Sequence, residues 1–205
     1  RAVAKKELHV IGSGGHAKVV VATARSAGFH VAAIYDDRDE RHGETLLGTP
    51  IVGPCAKVPK GAPAVIAIGD NRIRQKLADS LECQWRTLVH PRAVLHQSVI
   101  VGAGAVIFAG VIVQPDTTIG LHTILNTGCT VDHDCRVEAF AHIGPGVHLC
   151  GSVRIGKGTL MGVGSSAIPG TAVGSWATVG AGAAVTKFVP DNATALGVPA
   201  RVRSS

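Results

Sequence analysis

The sequence contains 205 residues with a formal net charge of +6, and only 3% of them are aromatic. A chain of this length can bury either one large hydrophobic core or two small ones. So few aromatic rings offer few surfaces on which bases could stack, and no basic run exceeds two residues, so the composition argues against a nucleic-acid-binding protein.

The five cysteines are odd in number and include no Cys-x-x-Cys pair. Neither a disulfide framework nor a zinc site is therefore indicated, and we expect no metal. Reduced thiols are typical of cytoplasmic proteins, and we expect neither a signal peptide nor an apolar stretch that inserts into a membrane. The prediction is a cytoplasmic protein.

Residues 7–88 are predicted to alternate between strands and helices. The apolar segment ELHVIG is predicted as a strand that runs into the glycine turn GSGGH, and AKVVVATARSAGF as a helix that ends at Gly28. HVAAIYDD is predicted as a second strand, APAVIAIGD as a later strand, and NRIRQKLADSLE as a helix capped by Asp70 or Asn71. This order is typical of a right-handed βαβ unit with a parallel sheet.

The glycine turn also fits a dinucleotide-binding pattern. Gly12, Gly14 and Ala17 match Gly-x-Gly-x-x-Gly/Ala, and Asp36 follows beyond the second strand. An NAD-dependent enzyme is therefore one hypothesis, although the region has only about 80 residues, enough for half of a dinucleotide-binding fold. A turn that merely connects a strand to a helix is the structural alternative.

From Val89 the sequence follows a six-residue repeat. In the 16 hexads from Val89 to Ala184, 15 first positions hold Val, Ile, Leu or Met, and Ala167 is the exception. Every fifth position is Ala, Val, Thr, Cys or Ser, and no insertion interrupts the frame. A period of six matches neither an ordinary strand nor an α-helix and is the signature of a parallel β-helix. We expect the first residue to point into a narrow interior and the small fifth residue to pack beside it.

Both regions resemble the bacterial nucleotide-sugar acetyltransferases of the hexapeptide-repeat superfamily. The resemblance rests on VIGSGGHAKVV, YDD, GDNRIR, the hexads with NTGCTVDHDC and the terminal ALGVPARVR, and it covers roughly residues 8–203. The family includes enzymes that N-acetylate UDP-4-amino sugars or GDP-perosamine, and the related sialic acid O-acetyltransferases. The resemblance implies a Rossmann-like, nucleotide-sugar-binding half domain over residues 1–88. It also implies a left-handed parallel β-helix acetyltransferase domain, with three hexads per coil and a C-terminal tail, over residues 89–205.

His133 is the candidate general base. It occupies the third position of its hexad, at a corner where side chains face outward, which argues against a core histidine. The spacing to the other histidines does not suit a metal site. A neutral imidazole can remove the proton of an amine that attacks a thioester, and the family pattern places an acid directly after this histidine, which is Asp134 here. Cys129 and Cys135 fall at inward fifth positions, so no acyl-enzyme is expected.

A coil of three hexads places Gly151 one coil above His133, about 4.8 Å away. A residue without a side chain there would leave space for the pantetheine arm, and its N–H could bind the developing oxyanion. The alternative is that Gly151 only shapes a corner. Resemblance places acetyl-CoA along the later coils, so that the predicted cofactor-binding residues are Gly151, Gly162, Gly180, Ala181, Gly197, Val198, Pro199, Ala200 and Arg201.

The predicted substrate-binding residues lie at the starts of the two helices, after the second strand and at two positions of the β-helix. Backbone amides of the glycine turn could face phosphates at a helix start, and an aspartate after the second strand could accept from a ribose or base. His142 is half a coil from His133 and should point to a different side, and the hypothesis is that it reaches the substrate or His133 across a trimer interface. The candidate residues are Gly12, Ser13, Gly14, Gly15, His16, Asp36, Asp37, Asn71, Arg72, Asn126 and His142.

These observations together predict a homotrimeric, acetyl-CoA-dependent N-acetyltransferase of a nucleotide-linked 4-amino-4,6-dideoxy sugar. A sugar O-acetyltransferase that uses the same base is the alternative enzyme. A non-catalytic trimeric scaffold is the alternative without chemistry. The sequence leaves open whether the nucleotide is uridine or guanosine.

Overall fold

The computed structural model describes residues 6–203, beginning with an α/β region. Its strands and α-helices are β1 (Lys6–Ile11), α1 (Gly15–Ser26), β2 (Phe29–Tyr35), β3 (Thr45–Leu46), β4 (Thr49–Gly53), β5 (Pro63–Ile66), α2 (Asn71–Ser80) and β6 (Gln84–Trp85). Two 3-10 helices span Asp39–Arg41 and Cys55–Lys57. The strands and helices predicted for this region are all present, and α1 begins two residues earlier than Ala17.

The strands form one sheet in the order β3-β4-β2-β1-β5-β6, in which only the β3–β4 pair is antiparallel. Helix α1 buries Ala17, Val20, Val21 and Ala24, which recur at helical spacing. The carboxyl ends of parallel strands meet at one edge of a sheet. This edge therefore brings together the glycine turn after β1, Asp36 after β2 and the loop after β5.

The remaining strands build a three-faced parallel β-helix. The first face contains β7 (Leu88–Val89), β10 (Val106–Ile107), β13 (Ile124–Leu125), β16 (His142–Ile143), β19 (Leu160–Met161), β22 (Thr178–Val179), β24 (Thr194–Leu196) and the antiparallel β25 (Arg201–Val202). The second face contains β8 (Val94–Leu95), β11 (Ile112–Val113), β14 (Thr130–Val131), β17 (His148–Leu149), β20 (Ser166–Ala167) and β23 (Ala184–Val185). The third face contains β9 (Ile100–Val101), β12 (Thr118–Ile119), β15 (Arg136–Val137), β18 (Arg154–Ile155) and β21 (Ala172–Val173).

The hexad frame accounts for this architecture. Within each face, from Leu88 to Val185, paired strands are 18 residues apart, as in Ile124 with His142, so three hexads make one coil. Each two-residue strand consists of a sixth and a first hexad position, and the first position points inward. From Ile107 to Val179 every first position is at most 2% exposed, including the exceptional Ala167. The predicted fold class, an α/β Rossmann-like region followed by a parallel β-helix, is confirmed.

The fourth hexad position forms the corner of each turn. From Gly104 to Gly182 every fourth position has a positive φ, and eight of these 14 residues are glycine. The left-handed conformation costs a residue with a Cβ roughly 1–2 kcal/mol, so the other six corners depend on their surroundings. These six are Asp116, His122, Asp134, Phe140, Ser152 and Trp176.

The α/β region packs on the first face of the β-helix. One hydrophobic cluster joins Val20 and Val21 of α1 to Leu88, Phe108 and Ile124, and all five side chains are fully buried. The sixth hexad positions Val106 and Ile124, which would otherwise face solvent, are therefore apolar. Neither α1 nor α2, the α-helices found between residues 6 and 203, has the length and apolarity needed to cross a membrane.

Candidate active site

His133 and Asp134 lie at the corner between the second and third faces, in the turn from β14 to β15. The Nδ1 atom of His133 is 2.8 Å from Oδ2 of Asp134. Their side chains are 58% and 60% exposed. Asp134 occupies a left-handed corner with φ of 57°, which brings its short carboxylate back to the preceding ring. The reach of an aspartate at this position is therefore sufficient.

This contact defines the chemistry of the imidazole. The hydrogen bond that His133 donates to Asp134 raises the pKa of His133 above its ordinary value, and the nearby Asp132 carboxylate acts in the same direction. An ionised carboxylate only accepts hydrogen bonds, so Nδ1 of the neutral ring carries the hydrogen. Its Nε2 then carries the free lone pair of a base.

Gly151 lies directly against the His133 ring. A Cβ placed on Gly151 would come within 2.6 Å of Cε1 and 2.7 Å of Nε2 of that ring. The space left by the missing side chain is thus filled by the imidazole, rather than standing open for a pantetheine arm. The Gly151 carbonyl accepts from the Gly170 N–H at 2.9 Å, whereas the Gly151 N–H donates to no protein atom within residues 6–203.

A cavity of about 520 Å³ opens at the carboxyl edge of the sheet. Seven of the predicted substrate residues line it, and Arg38, Gly69 and Lys76 lie in its wall with them. The seven are Gly12, Ser13, Gly14, Gly15, His16, Asp36 and Asp37. The structure therefore brings together the glycine turn, the start of α1 and the end of β2, as the parallel sheet requires.

Asp36 already has several donors in this cavity. Its Oδ2 accepts from the N–H and the hydroxyl of Ser13 at 2.7 and 2.6 Å, and Arg38 donates to both carboxylate oxygens. The Arg38 hydrogen bond holds the pKa of Asp36 far below its usual range, although burial opposes this. The Ser13 amide is thus not free to face a phosphate, and a ribose hydroxyl would share Asp36 with Arg38. Asp37 accepts from the Cys55 N–H at 2.8 Å.

Arg38 was missed by sequence reasoning. Its guanidinium side chain is 49% exposed at the cavity and is held there by Asp36. The signal that could have found it is a cation two residues after the acidic end of β2. Such a residue can pair with the aspartate and still present its remaining N–H groups to an anion.

Asn71 and Arg72 do not line this cavity. The Asn71 amide donates to the Gly158 carbonyl of the β-helix at 2.9 Å. The Arg72 guanidinium lies 4.5 Å from the centre of the Trp176 ring, as in a cation–π contact. In this structure both side chains join α2 to the β-helix.

Asn126 and His142 lie together on the first face. The Asn126 amide nitrogen is 3.1 Å from Nε2 of His142, and Nδ1 of His142 is 3.3 Å from the Gly69 carbonyl. The ring of His16 is 6.0 Å away. Burial is the main cause that lowers the pKa of both His142 and His16 to about 4. His142 therefore lies beside the cavity, on a different side of the prism from His133, as the half-coil spacing predicts.

The glycines assigned to acetyl-CoA have a packing explanation of their own. A Cβ on Gly162 would come within 2.6 Å of the Val179 carbonyl oxygen, and one on Gly180 would collide with Leu196. Residues 197–200 connect β24 to β25, and the side chains of Val198 in this connection and of Arg201 at the start of β25 are exposed. Their role toward acetyl-CoA stays a prediction.

The cysteines are all free, and Cys129 and Cys135 are buried. Burial raises the pKa of Cys129 to about 12 and that of Cys135 to about 11, which makes both poor nucleophiles. Within residues 6–203 no group of three or more His, Cys, Asp or Glu side chains is arranged to hold a metal ion.

Comparisons with known proteins match both regions. Residues 7–81 match the family model described as PglD N-terminal domain, and residues 152–187 match the hexapeptide repeat of succinyl-transferase. A curated relative, UDP-N-acetylbacillosamine N-acetyltransferase of Bacillus subtilis, is 38% identical over 102 residues, which are 45% of this chain and 47% of that protein. An uncharacterised mimivirus protein, L142, is 30% identical over 94 residues, 44% of this chain. The chain spans about half or less of the length of these curated relatives, 47% and 19%.

Two solved structures match over almost the whole chain. PerB from Caulobacter crescentus, crystallised with CoA and GDP-perosamine, is 39% identical with a TM-score of 0.90, and the match covers 100% of both chains. The acetyltransferase domain of PglB from Neisseria gonorrhoeae, in complex with acetyl coenzyme A, is 36% identical with a TM-score of 0.90, covering 98% of this chain and 100% of that one.

A β-helix of hexapeptide repeats with an exposed histidine–aspartate pair at one corner defines the class of hexapeptide-repeat acyltransferases. Within that class the chain belongs to the PglD-type family of nucleotide-sugar N-acetyltransferases, because both regions match and the identity extends over full chains.

Proposed function

We propose that the chain transfers the acetyl group of acetyl-CoA to the amino group of a nucleotide-linked amino sugar. The observation that carries this proposal is the exposed His133–Asp134 pair with Gly151 packed on the imidazole. Similarity over the full chain to enzymes crystallised with CoA and GDP-perosamine, or with acetyl coenzyme A, supports it. We further propose that the acceptor is the 4-amino group of a 4-amino-4,6-dideoxy sugar, GDP-perosamine or a UDP-4-amino sugar, for surface glycan biosynthesis.

The proposed chemistry is a direct attack. Nε2 of His133 takes a proton from the sugar amine while the amine nitrogen forms a bond to the thioester carbonyl carbon. The Gly151 N–H donates to the resulting oxyanion. The tetrahedral intermediate then expels the CoA thiolate, which accepts a proton from the His133 imidazolium and leaves as the thiol. Asp134 orients the ring and stabilises its charged form through the 2.8 Å hydrogen bond.

The nucleotide is assigned to the cavity at the start of α1. The Gly14 and Gly15 amides at this helix N-terminus suit a phosphate, and the helix dipole favours negative charge there. Arg38 and Lys76 in the cavity wall add positive charge. Asp37 remains the candidate acceptor for a hydrogen bond from the ribose or base.

We propose that the active form is a homotrimer with its sites at the interfaces. In one chain His133 lies at the corner between the second and third faces, whereas the cavity and His142 adjoin the first face. Two copies are therefore needed to bring the base of one to the sugar of the other. Exposed apolar side chains support such packing: Val94 is 63%, Ile100 65% and Ile112 38% exposed on the second and third faces. Light scattering measures the oligomer directly, and a monomer would overturn this part.

Acetyl-CoA is assigned to the later coils. It would extend from Gly151 past Gly162, Gly180 and Ala181 toward the segment 197–201. We also propose that the protein acts in the cytoplasm, where its five cysteines stay reduced.

The test is an acetylation assay with the purified protein and acetyl-CoA. GDP-perosamine, UDP-4-amino sugars and a hydroxyl acceptor such as sialic acid are supplied separately, and thiol release is followed. We expect turnover with a nucleotide-linked amino sugar. Acetylation of the hydroxyl acceptor alone would instead support the O-acetyltransferase alternative. Absence of both turnover and acetyl-CoA binding would support a non-catalytic scaffold. Binding of a nicotinamide cofactor without binding of CoA would support an NAD-dependent protein. Titration with UDP and GDP identifies the nucleotide.

His133→Asn separates catalysis from binding. A general base contributes roughly 10²–10⁴-fold to rate, so kcat should fall by about that factor. Because His133 is at an exposed corner, acetyl-CoA affinity should change little. Unchanged turnover in this variant would remove His133 from the mechanism.

A further inference from the structure

Helix α2 contains a buried guanidinium group that the mechanism above does not use. Arg74 is 1% exposed, yet it forms no ion pair with any carboxylate of residues 6–203. Burial lowers its pKa only to about 10, so it is charged at neutral pH. A buried charge is costly unless hydrogen bonds satisfy it, so its five N–H donors must all find acceptors.

Two of these donors attach α2 to the β-helix. Nε donates to the His122 carbonyl at 2.8 Å, and Nη2 donates to the Phe140 carbonyl at 2.7 Å. His122 and Phe140 are left-handed corners one coil apart, and their rings stack at 5.2 Å. Arg74 thus donates hydrogen bonds to a corner of the β-helix where two bulky residues adopt the strained left-handed backbone conformation.

The other donors hold the loop between β5 and α2. Nη1 donates to the Ile68 carbonyl at 3.0 Å and to the Gly69 carbonyl at 3.2 Å, and Nη2 donates to the Asn71 side-chain oxygen at 2.7 Å. Ile68 and Gly69 line the nucleotide cavity. One side chain therefore connects the cavity wall to the β-helix.

The Gly69 carbonyl is shared with His142, whose Nδ1 lies 3.3 Å from it. On the other side of that ring, Nε2 faces the Asn126 amide nitrogen at 3.1 Å. The Asn126 oxygen already accepts from the Thr127 N–H, so its nitrogen is the group turned to His142. An amide nitrogen only donates, so Nε2 accepts and Nδ1 carries the hydrogen. The Gly69 carbonyl, which Arg74 holds in place, accepts this Nδ1 hydrogen, so the loop and Asn126 favour the same tautomer of His142.

We propose that Arg74 is a positioning residue of the acetyl-transfer site: it fixes the Gly69 carbonyl, and through it both the cavity wall and the neutral His142–Asn126 pair. This inference rests on the proposed function. It assigns the amino-sugar end of the substrate to the region where Gly69, His142 and His16 meet, beside the nucleotide cavity.

The charges around His142 support this role. The titratable or charged groups that face it are His16 of α1 and Arg74 of α2, and Asp70 at the start of α2 faces Arg74. After burial, the positive charge of Arg74 is the next cause that lowers the pKa of His142 to about 4. A lowered pKa means that the ring stays neutral down to acidic pH. Removing the charge should therefore raise this pKa, and burial should keep it below the ordinary 6.5.

The experiment compares Arg74→Met, which removes the charge, with Arg74→Lys, which keeps it but offers only three donors. Arg86→Met, a change at an exposed arginine, is the matched control. Both Arg74 variants should raise the KM for the nucleotide sugar about tenfold or more, with the KM for acetyl-CoA unchanged. The pKa of His142, measured by NMR of labelled histidine, should rise in Arg74→Met and stay near the wild-type value in Arg74→Lys. Arg86→Met should behave as wild type.

An equal increase of both KM values in the Arg74 variants, with no change of the His142 pKa, would show a purely structural role and overturn the proposal. Where a variant does not fold, the wild-type protein provides the decisive measurement. Its His142 must be neutral at pH 6 with the hydrogen on Nδ1, and the opposite tautomer overturns the inference. The NMR readout requires no turnover, so it stands even where the acetylation assay fails.

Discussion

Replacement of Gly151 by alanine tests the geometry of the proposed base, His133, most directly. The added Cβ would lie 2.6 Å from Cε1 and 2.7 Å from Nε2 of His133. Non-bonded carbons prefer separations of about 3.5–4.0 Å, so the ring must move by roughly 1 Å. A misplacement of about 1 Å can cost about 10²-fold in rate. We therefore expect kcat to fall by about 10²-fold in Gly151→Ala.

This variant should fold normally. The φ of Gly151 is outside the left-handed region, so alanine strains no backbone there. The colliding atoms belong to an exposed ring that can rotate away. The assay is steady-state acetylation beside a thermal unfolding curve, with Val163→Ala as control, since Val163 is a third hexad position at another corner and is 55% exposed. A melting temperature equal to wild type together with a kcat within about threefold of it would refute the reasoning.

Three further changes test the site and the fold. Asp134→Asn replaces the charged acceptor that raises the pKa of His133 by a neutral amide, so the acid limb of the kcat/KM profile should shift to lower pH while the maximal rate falls; a limb that stays in place would contradict this. Phe108→Ala empties a fully buried site between the two regions and should lower the free energy of unfolding by about 3–5 kcal/mol in a denaturant titration, and a loss below about 1 kcal/mol would show that the regions do not share a core. Asp70→Ala removes the acceptor of the Ile73 N–H at the start of α2 and should cost roughly 0.5–2 kcal/mol by the same titration; no loss would mean that water replaces the cap.

Much of the fold follows from local rules. Each hexad places one large apolar residue and one small residue toward the interior of the prism. The same two residue types are required in every hexad because each coil stacks on an equivalent coil. The vertical relation between His133 and Gly151 follows from the same count, since three hexads return the chain to the same corner. The two-residue strands β3 and β6 and the five-residue β4 lie outside the hexads and were not predicted.

The sequence by itself therefore determined the two-part architecture and the outward direction of His133, because these depend on the periodicity of the chain, while the resemblance to the family indicated Asp134 as its partner. Only the tertiary structure decided which groups surround the cavity: that Asp36 is engaged by Arg38, that Asn71 and Arg72 join α2 to the β-helix, and that Gly69 contacts His142. These contacts link residues far apart in the chain. They depend on how the α/β region docks on one face of the β-helix, and no local periodicity encodes that orientation.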